Sequence, residues 1–573
     1  MGTTFDPVLV ELMRHEFIAL SEEMNMAMRQ SARSLVAKEA SELSTALLTA
    51  DGKVIGQATV YGLGYFTAAM PYIIDKFRGQ FRPGDVFLTN DPYGGASHLP
   101  DIVLVKPMFW RGELCGFTAA VEHHTDIGGR YPGGMGPGSP DIFHEGLRLP
   151  AVRYYADDRP IAAVREIIAA NVRAPDDVLG DLDAAVATCR RGEKGFFRLL
   201  EKYGRETVDE GCRVLYGHAE QAMRETLRSI PDGTYKAEMD WSDGAGIDLK
   251  LSLALTARDG EALLDLSGSS AQVPKAYNVP PQMVDHILAD KFLFLLGDNE
   301  VPINSGLFAP ITVNAPKGSV FNPEFPAAVA SRGTLIFPIS DLLFRALAQA
   351  MPGRMPASWE GGSSSITYAP VWRPGRASVF TDIYGSGQGG RPNADAVDGS
   401  MPYHLSMYLS TPTEVFEREV PLMLEGCGYV PDTGGAGRNR GSLAVYRAYR
   451  FLSDGDLFFR TVTNRSGPYG LDGGAGGTGD EFYLIRDGRR IDLPKVAVNE
   501  VKVKAGDVFY HRQRGAGGYG APFERDPDKV LADVMNDKIS PAYAERVYGV
   551  AIDARAGRVD TARTAALRTR RAA

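Results

Sequence analysis

Behind Asp6-Pro7, the residues Leu9, Met13, Phe17, Leu20, Met24 and Met28 recur every three or four positions. That period puts them on one face of a helix, with Asp6 as N-cap and Pro7 in the first turn. The stripe reads as a surface facing the core. Residues 38–48 read as an extended connection into a turn at Asp51-Gly52. Helical spacing returns over 161–172, 177–203 and 206–228, and Pro231-Asp232-Gly233 stops it. The period then changes. Residues 234–241, 247–255 and 262–266 alternate as strands do, before helices at 283–296 and 340–350.

The final third is strand-like and rich in glycine, with clusters at 385–390, 434–437, 473–479 and 515–520. A last helix is expected over 527–536, and the basic tail at 568–571 reads as disordered, solvated charge. No repeat at a solenoid period is visible. These elements predict an α+β protein of several subdomains, with mixed sheets, a helical insert and a glycine-rich β C-terminal third. The expected divisions are an N-terminal α/β region over 1–155, a helical region over 156–232 and an α+β middle over 233–380. The glycine-rich β region over 381–545 and a tail over 546–573 complete the chain.

Composition narrows the functional classes. The 573 residues, 44% of them hydrophobic, exceed what one core usually supports. A net charge of -9 and a pI near 5.6 give no footprint for nucleic acid or an anionic membrane. No apolar run is long enough for a membrane span, and Met1 to Asp6 show no secretory pattern. Cys115, Cys189, Cys212 and Cys427 are scattered without a CxxC pair, which fits buried or inert thiols in a reducing cytoplasm.

Residues 81–150 stand apart, dense in Gly, Pro, His and Asp and broken by two apolar runs. Four of the nine histidines lie here: His98, His123, His124 and His144. Imidazole and carboxylate together suit a divalent first-row metal, whereas carboxylates alone suit calcium or magnesium. Pro100 opposes a helix through His98 and Asp101. Residues 102–109 and 116–121 are instead strand candidates, with Arg111-Gly112 midway as a hairpin turn. Pairing about that midpoint sets Asp101 opposite Glu122 for a strict two-residue loop, or opposite His123 with one bulged residue. Opposed side chains have Cβ atoms roughly 5 Å apart, close enough to share an ion. His98 is placed to fold over the same end. Pro107 predicts that the first strand lies at a sheet edge or carries a bulge. Three protein ligands would leave positions open for chemistry. His144 stays outside that set. Adjacent strand residues face opposite ways, so only one of His123 and His124 easily faces a shared ion.

The stretches Asn90-Asp-Pro-Tyr-Gly-Gly-Ala-Ser-His-Leu-Pro-Asp101, His123-His-Thr-Asp-Ile-Gly-Gly129 and Pro137-Gly-Ser139 through Glu145-Gly146 resemble the signature of the hydantoinase B/oxoprolinase family. The resemblance continues through 171–182, Asp265-Leu-Ser-Gly268, 302–306 and 515–526, nearly the whole chain. It implies the B subunit of an ATP-dependent enzyme that opens a hydantoin, lactam or 5-oxoproline ring. It also implies a divalent metal (zinc, manganese or magnesium) on His98, Asp101 and His123. ATP would bind a partner hydantoinase A-type subunit with an actin-like ATPase core, in an expected (AB)2 heterotetramer. No Gly-x4-Gly-Lys-[Ser/Thr] loop occurs in this chain. The family's Glu followed by Asp-Phe-Ser reads Glu39-Ala-Ser-Glu42-Leu-Ser44 here, with Glu42 where Asp is common, and either carboxylate could serve as a base or an outer-shell group.

Resonance makes an amide a poor electrophile, and phosphorylating its oxygen creates a leaving group. Water activated at the metal would then attack, with His124 or Glu39 as general base and Asp126 orienting a histidine. The glycine clusters at 473–479 and 515–520 are read either as phosphate cradles or as tight turns and close backbone packing. Two other functions share the same expected site: carboxylation of a ketone driven by ATP, and a scaffold with a structural metal. The short chain favours the hydrolase.

Overall fold

The computed structural model describes residues 6–58, 62–136, 138–297, 301–362, 364–371, 379–401, 409–461 and 467–572. Residues 1–5 and Pro137, which enter the sequence reading, lie outside the described residues.

Helix α1 (Pro7–Ser31) opens the chain as its periodicity predicts. Asp6 caps it by accepting the Val8 N–H at 2.9 Å, and Met13, Phe17, Leu20, Met24 and Met28 are buried. A one-turn helix, α2 (Leu35–Lys38), then leads into β1 (Leu43–Leu48). There follow β2 (Val54–Gln57), α3 (Gly62–Lys76), β3 (Val86–Thr89), β4 (Asp101–Trp110), β5 (Glu113–His123), β6 (Val152–Ala156) and β7 (Arg159–Pro160). The strands form one antiparallel sheet in the order β2-β1-β5-β4-β3-β6-β7. Strands β4 and β5 are central and buried on both faces, which is why they read as continuous apolar runs.

Of the two expectations for Pro107, an edge strand or a bulge, the bulge is the one observed, because β4 is interior. The proline is tolerated because the pairing of β3 with β4 reaches only Val105, and the β4–β5 hairpin bulges just beyond, between Met108 and Phe109.

Helices α4 (Ala162–Asn171), α5 (Pro175–Tyr203) and α6 (Arg205–Arg228) match the helical region read from spacing. α1 and α5 cover one face of the sheet, while α3 packs on the other. Strands β8 (Gly233–Ser242), β9 (Asp248–Arg258), β10 (Glu261–Asp265) and β11 (Ile311–Asn314) form a second sheet, in the order β11-β10-β9-β8. It is accompanied by α7 (Pro281–Ala289), α8 (Leu293–Leu296) and α9 (Gly333–Ala350). Helix α9 starts ahead of the expected 340. Leu335 to Ile339 are buried all round, so its first turns carry no amphipathic period. One contiguous core joins Val103, Val105 and Phe117 of the first sheet to Leu251, Leu253 and Leu343 of this region.

Two further antiparallel sheets follow. One runs β13-β12-β16-β19, from β12 (Ser364–Pro370), β13 (Phe380–Tyr384), β16 (Gly455–Arg460) and β19 (Val498–Val503). The other runs β14-β15-β20-β17-β18, from β14 (Leu422–Val430), β15 (Ala444–Phe451), β17 (Glu481–Arg486), β18 (Arg489–Asp492) and β20 (Val508–Arg512). Ile366, Tyr368, Tyr449, Phe451, Phe459 and Phe509 pack between them.

The glycine clusters pack backbone on backbone beside these sheets. A Cβ on Gly517 would fall 1.9 Å from the Tyr469 carbonyl oxygen, and one on Gly477 would fall 1.9 Å from that of Gly515. The amides are used within the stack. Gly435 N donates to Ala516 O at 2.7 Å, Ala475 N to Ala436 O at 2.7 Å and Gly518 N to Ala475 O at 2.9 Å. Of the two readings of 473–479 and 515–520, close backbone packing is the one observed.

A helix over Pro527–Met535 matches its expectation. The basic tail is not disordered, contrary to the reading of 568–571. A helix runs over Thr561–Ala572, and Arg568 anchors it by donating to the Arg525 carbonyl oxygen at 2.6 Å. Cys115, Cys189 and Cys212 are buried, Cys427 is exposed, and all four are free thiols. No described helix is long and apolar enough to cross a membrane.

Candidate metal centre

The β4–β5 hairpin turns through Arg111 and Gly112, both with positive φ (52° and 87°), the backbone of a type I′ turn. Cys115 is the extra residue of the bulge, since Met108 pairs with Gly116 and Phe109 with Leu114. The register that results sets Asp101 opposite His123, the bulged alternative of the two left open by the sequence. His98 closes over the same end from the turn before Asp101, whose N–H donates to the His98 carbonyl at 3.1 Å.

His98, Asp101 and His123 converge, each offering a ligand atom within 4.8 Å of the others. All three are buried, at 1%, 2% and 4% exposure. The two imidazole centroids are 5.0 Å apart, and His98 Nε2 lies 3.2 Å from Asp101 Oδ2. Both nitrogens of His98 and both of His123 lack a hydrogen-bond partner of acceptable geometry. Buried polar atoms are rarely left so. Burial and the Arg332 guanidinium push the His98 imidazole down to about 3, so its ring stays neutral, the form that ligates metals. Burial opposes ionisation of Asp101, but His98, Arg332 and His123 together outweigh it and hold the carboxyl well below its ordinary range. Two buried imidazoles with unpartnered ring nitrogens and one carboxylate fit a divalent first-row metal.

Three neighbours complete the site. Arg332 donates to Asp101 Oδ2 at 3.0 Å and to Ser97 Oγ at 2.8 Å, and Ser97 Oγ in turn donates to Asp101 Oδ2. Glu42 Oε2 lies 3.9 Å from His123 Nδ1, and burial raises its carboxyl above the ordinary range. Arg460, at the end of β16, feels both Arg332 and Glu42; burial and Arg332 push it down to about 10. Neither Arg332 nor Arg460 is singled out by the sequence pattern. Arg332 has one weak signal, an isolated arginine closing the small-residue run 327–331. Glu145 holds that run in place by accepting the Val329 and Ala330 N–H groups at 2.7 and 2.8 Å.

The structure places the other expected site residues apart from the three ligands. Glu39 caps the end of α2, and the chain turns through Ser41 at φ 58°, so that Glu42 is the carboxylate that reaches His123. His124 faces away from His123, as strand alternation requires; its Nε2 lies 3.3 Å from Glu122 Oε1, on the side of Asp181. Among the described residues, Asp126 orients no histidine. It accepts from Gly128 N, Gly133 N, Arg173 N and Arg173 Nη1, and those four donors tie two loops together. His144, outside the expected ligand set, is half-exposed and pairs with Asp141 at 2.8 Å.

A model of the hydantoinase B/oxoprolinase family matches residues 6–522. The B component of a putative D-/L-hydantoinase of Pseudomonas sp. (strain NS671) is 30% identical over 580 residues, covering 96% of this chain and 95% of that protein. The crystal structure of ATP-dependent caprolactamase from Pseudomonas jessenii is similar with a TM-score of 0.89 at 28% identity, over 99% of this chain and 100% of that one. A nucleotide-free structure of acetone carboxylase gives 0.90 at 21% identity, over 99% and 83%, a likeness of fold. On a match that spans the hairpin, the helical region and the glycine-rich third alike, the chain belongs to the hydantoinase B/oxoprolinase family.

Proposed function

We propose that this chain is the metal-dependent component of an ATP-dependent cyclic amide hydrolase, acting on a ring whose amide oxygen a partner ATPase has phosphorylated. The observation that carries the reading is the convergence of two orphaned imidazoles and a carboxylate at one buried point beside Arg332 and Arg460. His98, Asp101 and His123 would hold the cation, which when bound supplies a Lewis acid and an acidified water. The rest belongs to the chain. Arg332 Nε is buried without a hydrogen-bond partner, so the guanidinium keeps a donor for an anionic substrate group such as a phosphate. Arg460 adds positive charge and lines a small cavity of about 20 Å³, with Pro132, Met135 and Thr367, that has room for about one water. Glu42 Oε2, without a hydrogen-bond partner and beside His123, would take a proton from attacking water, the role expected above of Glu39 or His124.

The hydantoinase relative is named as one component of a multi-component enzyme, which supports a partner hydantoinase A-type ATPase for this chain, and an (AB)2 assembly extends that reading. The printed activity of the caprolactamase supports a cyclic amide as substrate. The test is to purify the chain together with a hydantoinase A-type ATPase subunit from the same organism. ATP-dependent opening of a lactam, hydantoin or 5-oxoproline, abolished by chelation, is expected. Bicarbonate-dependent loss of a ketone without ring opening would replace the hydrolase reading with a carboxylase, and turnover untouched by chelation would remove the metal from it.

A further inference from the structure

We infer that the chain holds a second divalent cation, on the opposite face of β5 from the first site, between Glu122, His124 and Asp181. One ligand atom from each lies within 4.8 Å of the others. All three residues are closed to solvent, at 2%, 0% and 0% exposure. The placement follows from strand alternation: His123 points to Asp101, so its neighbours Glu122 and His124 point together to the other side. Asp181 meets them from the first turns of α5.

Unused polar atoms distinguish this cluster from an ordinary buried network. Both carboxylate oxygens of Glu122, both ring nitrogens of His124 and Asp181 Oδ2 have no hydrogen-bond partner of acceptable geometry. Asp181 Oδ1, by contrast, accepts the Arg33 and Ser34 N–H groups at 2.6 and 3.1 Å, which fixes the carboxylate and aims Oδ2 inward. The backbone is equally fixed. Glu122 pairs with Leu43 of β1, and His124 N donates to Pro100 O at 2.8 Å. Among the described residues no lysine or arginine forms an ion pair with Glu122 or Asp181, although two carboxylates share the space. Buried charge is tolerated when paired or when it coordinates a metal. A doubly charged cation against two carboxylates is neutral overall. One imidazole nitrogen with two carboxylate oxygens suits zinc, manganese or ferrous iron better than calcium. With no opening to solvent, such an ion has no route to substrate. It would clamp β5 to α5 directly behind His123, a brace for the first site and not a second catalytic centre.

The experiment counts ions. The full chain is loaded separately with zinc and with manganese, desalted, and its metal measured by plasma mass spectrometry. Two ions per chain are expected in the wild type, one in His98→Ala, one in Glu122→Ala or His124→Ala, and none when both sites are changed. A wild type that saturates at one ion and loses it in His98→Ala overturns the inference, as does a Glu122→Ala chain that still holds two. If the Glu122 and His124 variants do not fold, anomalous difference maps from metal-loaded wild-type crystals decide. A peak between Glu122, His124 and Asp181, besides that at His98, is expected, and its absence in crystals that show the His98 peak ends the proposal.

Discussion

The loop around His98 and the stack around Gly517 are both dense in glycine, and they treat their polar atoms in opposite ways. Around His98, glycines such as Gly95 and Gly134 let the chain fold tightly, and the result is a set of buried imidazole nitrogens with no partner. In the stack, glycine removes side chains so that carbonyl oxygens of one segment meet amides of the next, and donors such as Gly435 N and Gly518 N are satisfied. Glycine content therefore says little about function by itself. An unpaired polar group in a dry place marks a region that awaits a ligand, and complete pairing marks one that is finished.

That contrast can be broken from either side. His98→Ala should cut turnover by more than ~100-fold, beyond what loss of an outer partner costs at metal sites, while a thermal melt stays close to the wild type; a large loss of stability instead would make the cluster structural. Glu42→Gln should follow, at roughly 10–100-fold in kcat with the metal content unchanged. On the other side, Gly517→Ala should cost about 1–3 kcal/mol in urea unfolding, as overpacking does, with activity per folded molecule preserved. Asp126→Asn should cost about 1–2 kcal/mol through weakened charged hydrogen bonds and leave turnover within a few-fold.

A separate prediction, read in pH dependence and not in turnover, concerns Glu360, which holds Ser386 at the start of the cluster at 385–390. It accepts the Ser386 N–H at 2.8 Å, and burial lifts its carboxyl to about 8 from an ordinary 4.5. The folded protein therefore keeps a proton that the unfolded chain releases. The stability this contributes is full below pH 4.5 and declines toward pH 8, by at most about 1.4 kcal/mol per pH unit. Glu360→Gln should flatten that slope in urea midpoints taken between pH 5 and 8. An unchanged slope would show that Glu360 titrates normally.

The parts of the fold that were legible are those whose cause is local. The period of α1, the alternation of β8 to β10 and the turn at Arg111-Gly112 all lie within a few residues of their signal. The site was legible as far as the hairpin reached. Opposition of Asp101 and His123 needed only the choice of a bulge, which the pattern left open because Cys115 looks like any apolar strand residue. The sequence does not separate Glu39 from Glu42, because Ser41 gives no sign of its positive φ. The donors to Asp126, Gly133 and Arg173, come from separate loops, so nothing beside Asp126 in the chain announces them. Arg332 and Arg460 were invisible for a similar reason. They arrive from α9 and β16, and nothing near them in the chain points to the hairpin.

The Cys115 bulge works like the offset of a vernier scale, because it decides which tooth of one strand meets which tooth of the next. A one-residue slip of that register would set Glu122 or His124 in place of His123 opposite Asp101 and turn His123 to the other face. Changes of length at the remote Arg111-Gly112 tip should therefore be tolerated only when they leave that register in place. The loop is free in its identity and constrained in its count.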